Sequence, residues 1–329
     1  MVTQLNTKRI LIFLAFAIGI PWASALVIYL SRVMENNPVM AVTVANYIFV
    51  STPLLANVAT RLTTKEGWGH LWLRPNFRRG WRFYLGVWLL PLLAVMVGGA
   101  IFYLLFPQSF DPNLGEVRKL FASSPSAAAN PWMGMLFITI QVMILAVPIN
   151  SVLSIGEEFG WRAYLLPKLM ERFAGAERAS ASAEDPAYGG GLYAAGARKA
   201  ALLVGVVHGV WHWPLFFLGA MYGFPYPNLV LYLIFTCSLS ALLSWGTLRS
   251  GSVWPASVGN GAVNATAGLA GYLLKGPANL LLGPLPGSLI GSLGYFILAL
   301  VLLFSRRAFT GAKEAGPESV QALTSRVSA

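Results

Sequence analysis

Two of the twelve acidic residues, Glu157 and Glu158, lie inside a long apolar block, as do two of the three histidines, His208 and His212. An ionisable group in hydrocarbon is expensive, so each of these needs a partner or a task. On a helix, adjacent residues diverge by about 100°, so the two glutamates should have different jobs. Glu158 is i,i+4 to Arg162, with the acid on the N-terminal side, which is the favourable order for an ion pair. That pairing keeps Glu158 as an orienting group and leaves Glu157 as the freer carboxylate. His208 and His212 are also i,i+4 and share one helix face, the spacing that offers two imidazoles to one metal ion. Asn260 and Asn264 repeat the same spacing in a later apolar block.

The elements that must position these residues are membrane helices. The chain has 329 residues, 56% apolar and 11% charged, with a mean hydropathy of +0.63. Soluble domains carry about 25% charged residues, so an ordinary soluble enzyme and a disordered chain are both excluded. The apolar residues fall into eight blocks long enough for a bilayer, near 10–31, 39–60, 83–106, 132–160, 200–221, 227–247, 252–274 and 287–305. The seventh, rich in Gly, Ala and Asn, suits a helix packed within a bundle. Alternation of eight spans places nineteen of the 23 Lys and Arg on one face. The positive-inside rule makes that face cytoplasmic, with both termini inside. The net charge of +11 is thereby a matter of topology and calls for no nucleic acid. The fold expected is an all-α polytopic bundle of about eight transmembrane helices in the plasma membrane. Its divisions are 1–130, three helices and loops; 131–275, a core of spans four to seven; 276–309, the eighth helix; and 310–329, a disordered tail. Residues 175–197 read as a flexible Gly-rich cytoplasmic loop. The lone Cys237 excludes a disulfide framework and reads as packing, while His70, between Trp68 and Trp72, reads as an interfacial anchor.

Depth brings the polar groups together. At about 1.5 Å per helical residue, Glu157 is ~16 Å from Lys168. On the same scale His208 and His212 are ~14 and ~20 Å from Lys199, and Asn260 and Asn264 are ~12 and ~18 Å from Ser252. Three helices thus deliver polar side chains to one layer reachable from the cytoplasm. Pro214 frees the carbonyl of Val210, which is tolerable where a cavity is lined by water or neighbours.

The run Glu157-Glu158-Phe-Gly-Trp-Arg162 resembles the EExxxR motif of the CPBP family of intramembrane proteases, also called the Abi or CAAX prenyl endopeptidase family. Val-His208-Gly-Val-Trp-His212 is similar to its second motif, and the run from Gly251 to Asn264 resembles its third, normally HxxxN. The resemblance covers roughly 130–270. It implies that Glu157 activates the attacking water, that His212 binds a metal or polarises the scissile carbonyl, and that Asn264 holds the oxyanion. Glu158 and Arg162 would support them. Two departures stand out: Asn260 replaces the third-motif histidine, and His208 occupies the position usually held by an aromatic residue. His208, His212 and Glu157 together would make a compensating metal set, with Zn²⁺ as the one cofactor to consider.

The function that follows is hydrolysis of a peptide bond in a membrane-anchored, lipidated (CAAX-type) or small hydrophobic peptide, with the bilayer as the other partner and no nucleic acid. The basic loops after the second and fourth spans would steer substrates or hold anionic lipid. The competing class is a catalytically inactive scaffold or bacteriocin-immunity protein, which the Asn260 departure favours. A structural ion pair at Glu158–Arg162 and helix-gluing asparagines are the plainer readings of the same residues.

Overall fold

The computed structural model describes residues 2–69, 71–123, 130–178, 188–221, 223–277, 279–305 and 307–309. Among them the structure is helical, without a ladder of strands. The principal helices are α1 (Val2–Leu30), α2 (Pro38–Thr63), α3 (Phe77–Leu105), α4 (Pro131–Phe173), α5 (Tyr188–Phe217), α6 (Asn228–Ser250), α7 (Trp254–Thr266) and α8 (Leu293–Phe304). One- and two-turn helices at Val33–Asn36 and Gly115–Leu120 lie in connections. His70 and the tail expected over 310–329 are outside the described residues, as is part of the 175–197 loop.

Local chemistry sets several boundaries. The Asn37 side chain accepts from the Met40 N–H at 3.0 Å and Pro38 opens α2. Asn130 and Pro131 start α4 in the same way. These are side-chain caps followed by a residue whose missing N–H costs nothing in the first turn. Gly251, at φ +67°, closes α6 in the left-handed conformation that glycine adopts without strain.

Among the described residues six helices, α1 to α6, have the length and apolar character to cross a membrane. The expected count was about eight, and the difference lies in the last two blocks. There the chain forms α7 and α8, of 13 and 12 residues. Gly, Asn and Thr in one block and the Pro- and Gly-containing stretch before Leu293 in the other shorten the helix. Both blocks still run between the same two ends of the bundle. At one end Asn6 bonds Glu171 and Arg9 pairs with Glu66. At that end too, Arg198 donates to the Ser305 carbonyl, and Asn76 donates to the Ser250 carbonyl. At the other end the Asp111 N–H donates to Leu273 O, and Asn228 donates to Leu280 O and Gly287 O.

α4 is the spine of the site. It contains two π-turns, Val142–Ala146 and Trp161–Leu165, and each is followed within two residues by a proline, Pro148 or Pro167. A proline in a helix lacks a donor and collides with the carbonyl four residues back, here inside each π-turn; widening the turn relieves the collision. Neighbouring helices supply donors nearby: Trp88 Nε1 donates to Met143 O at 3.2 Å, and Asn57 Nδ2 donates to Phe159 O at 2.9 Å. Between the π-turns α4 packs closely on α2 and α7. A Cβ on Gly156 would come within 2.6 Å of the Val50 carbonyl, and one on Gly160 within 2.5 Å of Pro53. These two glycines are four apart and let the backbones touch, the small-xxx-small arrangement of membrane helices.

Candidate functional site

Glu157, Glu158 and Arg162 occupy the last turn of α4 before, and the start of, its second π-turn. The expected Glu158–Arg162 pair is formed. Arg162 Nη1 donates to Glu158 Oε1 at 3.1 Å and faces Oε2 at 3.0 Å, with both side chains fully buried. α7 brings Asn260 against them, and its Nδ2 amide donates to Glu158 Oε1 at 2.8 Å and to Glu157 Oε2 at 3.2 Å. A primary amide has two N–H groups, so one asparagine serves both carboxylates. The residue that replaces the usual third-motif histidine therefore ties the two glutamates together.

α5 contributes His208, whose Nε2 lies 3.3 Å from Glu157 Oε2. Its ring is boxed by Trp161 and Trp211, with centroids 5.7 and 5.5 Å away. His212 lies one turn on, its ring 4.9 Å from that of His208 and 5.1 Å from Tyr232. His212 Nδ1 is 3.0 Å from the His208 carbonyl oxygen. A carbonyl only accepts, so Nδ1 carries the hydrogen, and a neutral ring then presents Nε2 as an acceptor.

The two glutamates differ in one decisive respect. Glu158 is 0% exposed and Glu157 6%. All the contacts of Glu157 fall on Oε2, leaving Oε1 outside them. Glu157 is thus the carboxylate that can meet an incoming water, while Glu158 is consumed by Arg162 and Asn260.

The sequence-based set is brought together in part. Glu157, Glu158, Arg162, His208 and Asn260 form one contact network, and His212 joins it through its ring and the His208 backbone. Asn264 does not join it: its side chain is exposed and makes no hydrogen bond among the described residues. Equal helical depth does not ensure contact: α7 meets the two glutamates at Asn260, one turn before Asn264. The expected metal set of Glu157, His208 and His212 is not assembled either. Among the described residues no three His, Cys, Asp or Glu side chains converge on a point where they could hold a metal ion. Glu157 and His208 approach within 3.3 Å, and the rings of His208 and His212 are 4.9 Å apart, with the Nδ1 hydrogen bond of His212 leaving its Nε2 free.

Other contributors were not singled out from sequence. Ser257 Oγ donates to the Ser151 carbonyl and fixes α7 on α4. Asn57, on α2, accepts from Arg61 Nε at 2.8 Å and donates to Phe159 O, next to Glu158. Its signal in the sequence was an amide within an apolar block, four residues before an arginine.

Residues 128–266 match the family model described as type II CAAX prenyl endopeptidase Rce1-like. The chain carries an Rce1-like domain. The match covers less than half of the chain, yet it contains Glu157, Glu158, Arg162, His208, His212, Asn260 and Asn264. No curated protein and no solved structure matches the chain significantly. The apolar helices make this a multi-pass integral membrane protein, and its region 128–266 is similar to the type II CAAX prenyl endopeptidase Rce1-like domain.

Proposed function

We propose that the protein is an endopeptidase that cleaves a membrane-anchored, lipidated or small hydrophobic peptide, using Glu157 as the base that activates water. The observation that supports this reading is the inequality of the two glutamates: Glu157 has Oε2 bonded by Asn260 and 3.3 Å from His208 Nε2, with Oε1 outside these contacts. In the step that follows, Glu157 Oε1 takes a proton from water as its oxygen bonds the scissile carbonyl carbon. The carbonyl electrons move to oxygen, where the uncommitted Asn264 amide donates to the developing oxyanion. Collapse of the tetrahedral intermediate breaks the C–N bond, and Glu157 returns the proton to the leaving amine. His208 orients Glu157, and His212 Nε2 is placed to accept a hydrogen bond from the incoming water or substrate. No step passes through a metal ion. The plasma membrane, with the basic end of the bundle and both termini in the cytoplasm, is the setting this reading adopts.

The test is cleavage of a quenched-fluorescent prenylated CAAX peptide by the protein in liposomes. Glu157→Gln should lower kcat by about 10²–10⁴-fold, the usual range for a general base, with the unfolding temperature retained. Chelation should leave wild-type turnover unchanged. Equal turnover in wild type and Glu157→Gln would sink the reading and leave the scaffold or immunity function suggested by the Asn260 departure. Loss of turnover on chelation, restored by zinc, would overturn the metal-free mechanism.

A further inference from the structure

A second polar region lies at and beyond the second π-turn of α4, and the hydrolytic reading makes no use of it. A cavity of about 320 Å³ is lined by Arg61, Glu66, Gly69, Tyr164, Lys168 and Glu171, among others. It sits where α2, α4 and the loop after α2 meet, at the end of the bundle where the basic residues gather. The carboxylates there are already engaged. Glu66 receives Lys168 Nζ at 2.5 Å, the Tyr164 hydroxyl at 2.8 Å and Arg9 Nε at 3.4 Å. Glu171 receives Asn6 Nδ2 at 2.6 Å.

Arg61 is the exception. It is 5% exposed, yet its hydrogen bonds among the described residues go to neutral oxygens. Nε donates to Asn57 Oδ1 at 2.8 Å, and Nη1 donates to the carbonyls of Gly67 and Gly69 at 2.7 and 3.3 Å. Its guanidinium lies 5.3 Å from the Tyr164 ring centroid. A buried cation without a counter-charge is costly, and this one borders a polar cavity. The lining carries two cations, Arg61 and Lys168, and two carboxylates, Glu66 and Glu171; Arg9 adds a third positive charge through its pairing with Glu66. The Asn57 contact, itself anchored on Phe159 O, fixes the guanidinium so that its remaining N–H groups are available to a ligand.

We propose that this cavity binds the phosphate of an anionic phospholipid headgroup, with Arg61 as its principal ligand and Lys168 as the second cation. A guanidinium suits a phosphate diester because its planar donors match two oxygens at once. The location favours a lipid as the source: the cavity lies at the end of membrane-spanning helices, within reach of headgroups but below the bulk solvent. Glu171, at the rim, disfavours a second negative charge on the ligand, which points to a diester rather than a monoester.

The experiment measures binding to the full-length protein in a neutral detergent, using short-chain phosphatidylglycerol, short-chain phosphatidylcholine and inorganic phosphate as separate probes. Phosphatidylglycerol should bind at least about tenfold more tightly than phosphatidylcholine, given a factor of ten per 1.4 kcal/mol. Arg61→Gln should remove that preference. Because Arg61 also holds the Gly67–Gly69 loop, Gly69→Leu supplies an independent test. It fills the cavity from a position with open space around the added Cβ and leaves the arginine intact. It too should abolish phosphatidylglycerol binding. Equal binding of both lipids, unchanged in both variants, would mean annular lipid only and overturn the proposal. Inorganic phosphate binding as tightly as phosphatidylglycerol would overturn the lipid assignment in favour of a free-anion site. Peptide cleavage is not the readout, so failure here is separate from failure of the hydrolytic mechanism.

Discussion

The two charged regions on α4 solve the same problem in opposite ways. The layer at Glu157 and Glu158 is buried: Arg162 and Asn260 hold the carboxylates away from water, Glu157 Oε1 lies outside these contacts, and Arg162 Nε and Nη2 have no hydrogen-bond partner among the described residues. The network at Glu66 and Lys168 is partly open, with side-chain exposures of 10% and 13%, and the group left over is a cation, Arg61. In the first region low dielectric makes each partner indispensable; in the second, water and ions can replace a missing partner. A surplus acceptor suits proton abstraction, whereas a surplus donor suits anion binding.

Removing Arg162 is the hardest blow to this comparison. Arg162→Met leaves Glu158 as a fully buried carboxylate with only Asn260, and should destabilise the protein by about 3–5 kcal/mol, read as detergent-solution thermal unfolding. Glu158→Gln combined with Arg162→Met should recover much of that loss, since no unpaired charge remains. A double variant as unstable as the single would show that the pair contributes through packing alone.

Asn260→Ala takes one donor from each glutamate at once. The expected loss is about 1–3 kcal/mol of stability, the usual cost of leaving buried polar atoms unmade. Turnover should also fall, because Glu157 loses one of its two orienting contacts. Asn260→Asp should be worse than Ala, placing three carboxyl groups together.

The end network should respond least. Burial alone would raise the Glu66 carboxyl, but the hydrogen bonds from Lys168 and Tyr164 and the charges of Lys168 and Arg9 outweigh it and hold it below the ordinary value of 4.5. A depressed carboxyl stabilises the fold fully above pH 4.5 and loses that contribution as the pH falls through its folded value. For a partly exposed pair the effect should stay under about 1 kcal/mol. Unfolding temperature measured down the acid range should show a shallow step that Glu66→Gln removes. A step as large as the Arg162 effect would mean that the two regions are equally sealed.

Residue type and spacing alone determined much of the protein. Hydropathy specified an all-α membrane bundle, because hydrocarbon leaves a helix as the simplest way to satisfy its backbone. The i,i+4 relation of Glu158 and Arg162 also specified their pairing, since a helix makes such neighbours meet wherever it sits. Tertiary structure decided what lies between helices. Helical rise gives an approximate depth but no contact, so only the fold decides that His208 and Asn260 reach Glu157 while Asn264, one turn further along α7, does not. The shortness of α7 and α8 was hidden by a hydropathy scan that does not count Gly, Asn and Pro as helix breakers. Arg61 read as one more basic residue of a cytoplasmic loop. Only the folding of that loop over α2 buried its guanidinium against carbonyls, and burial is what turns a surface charge into a site.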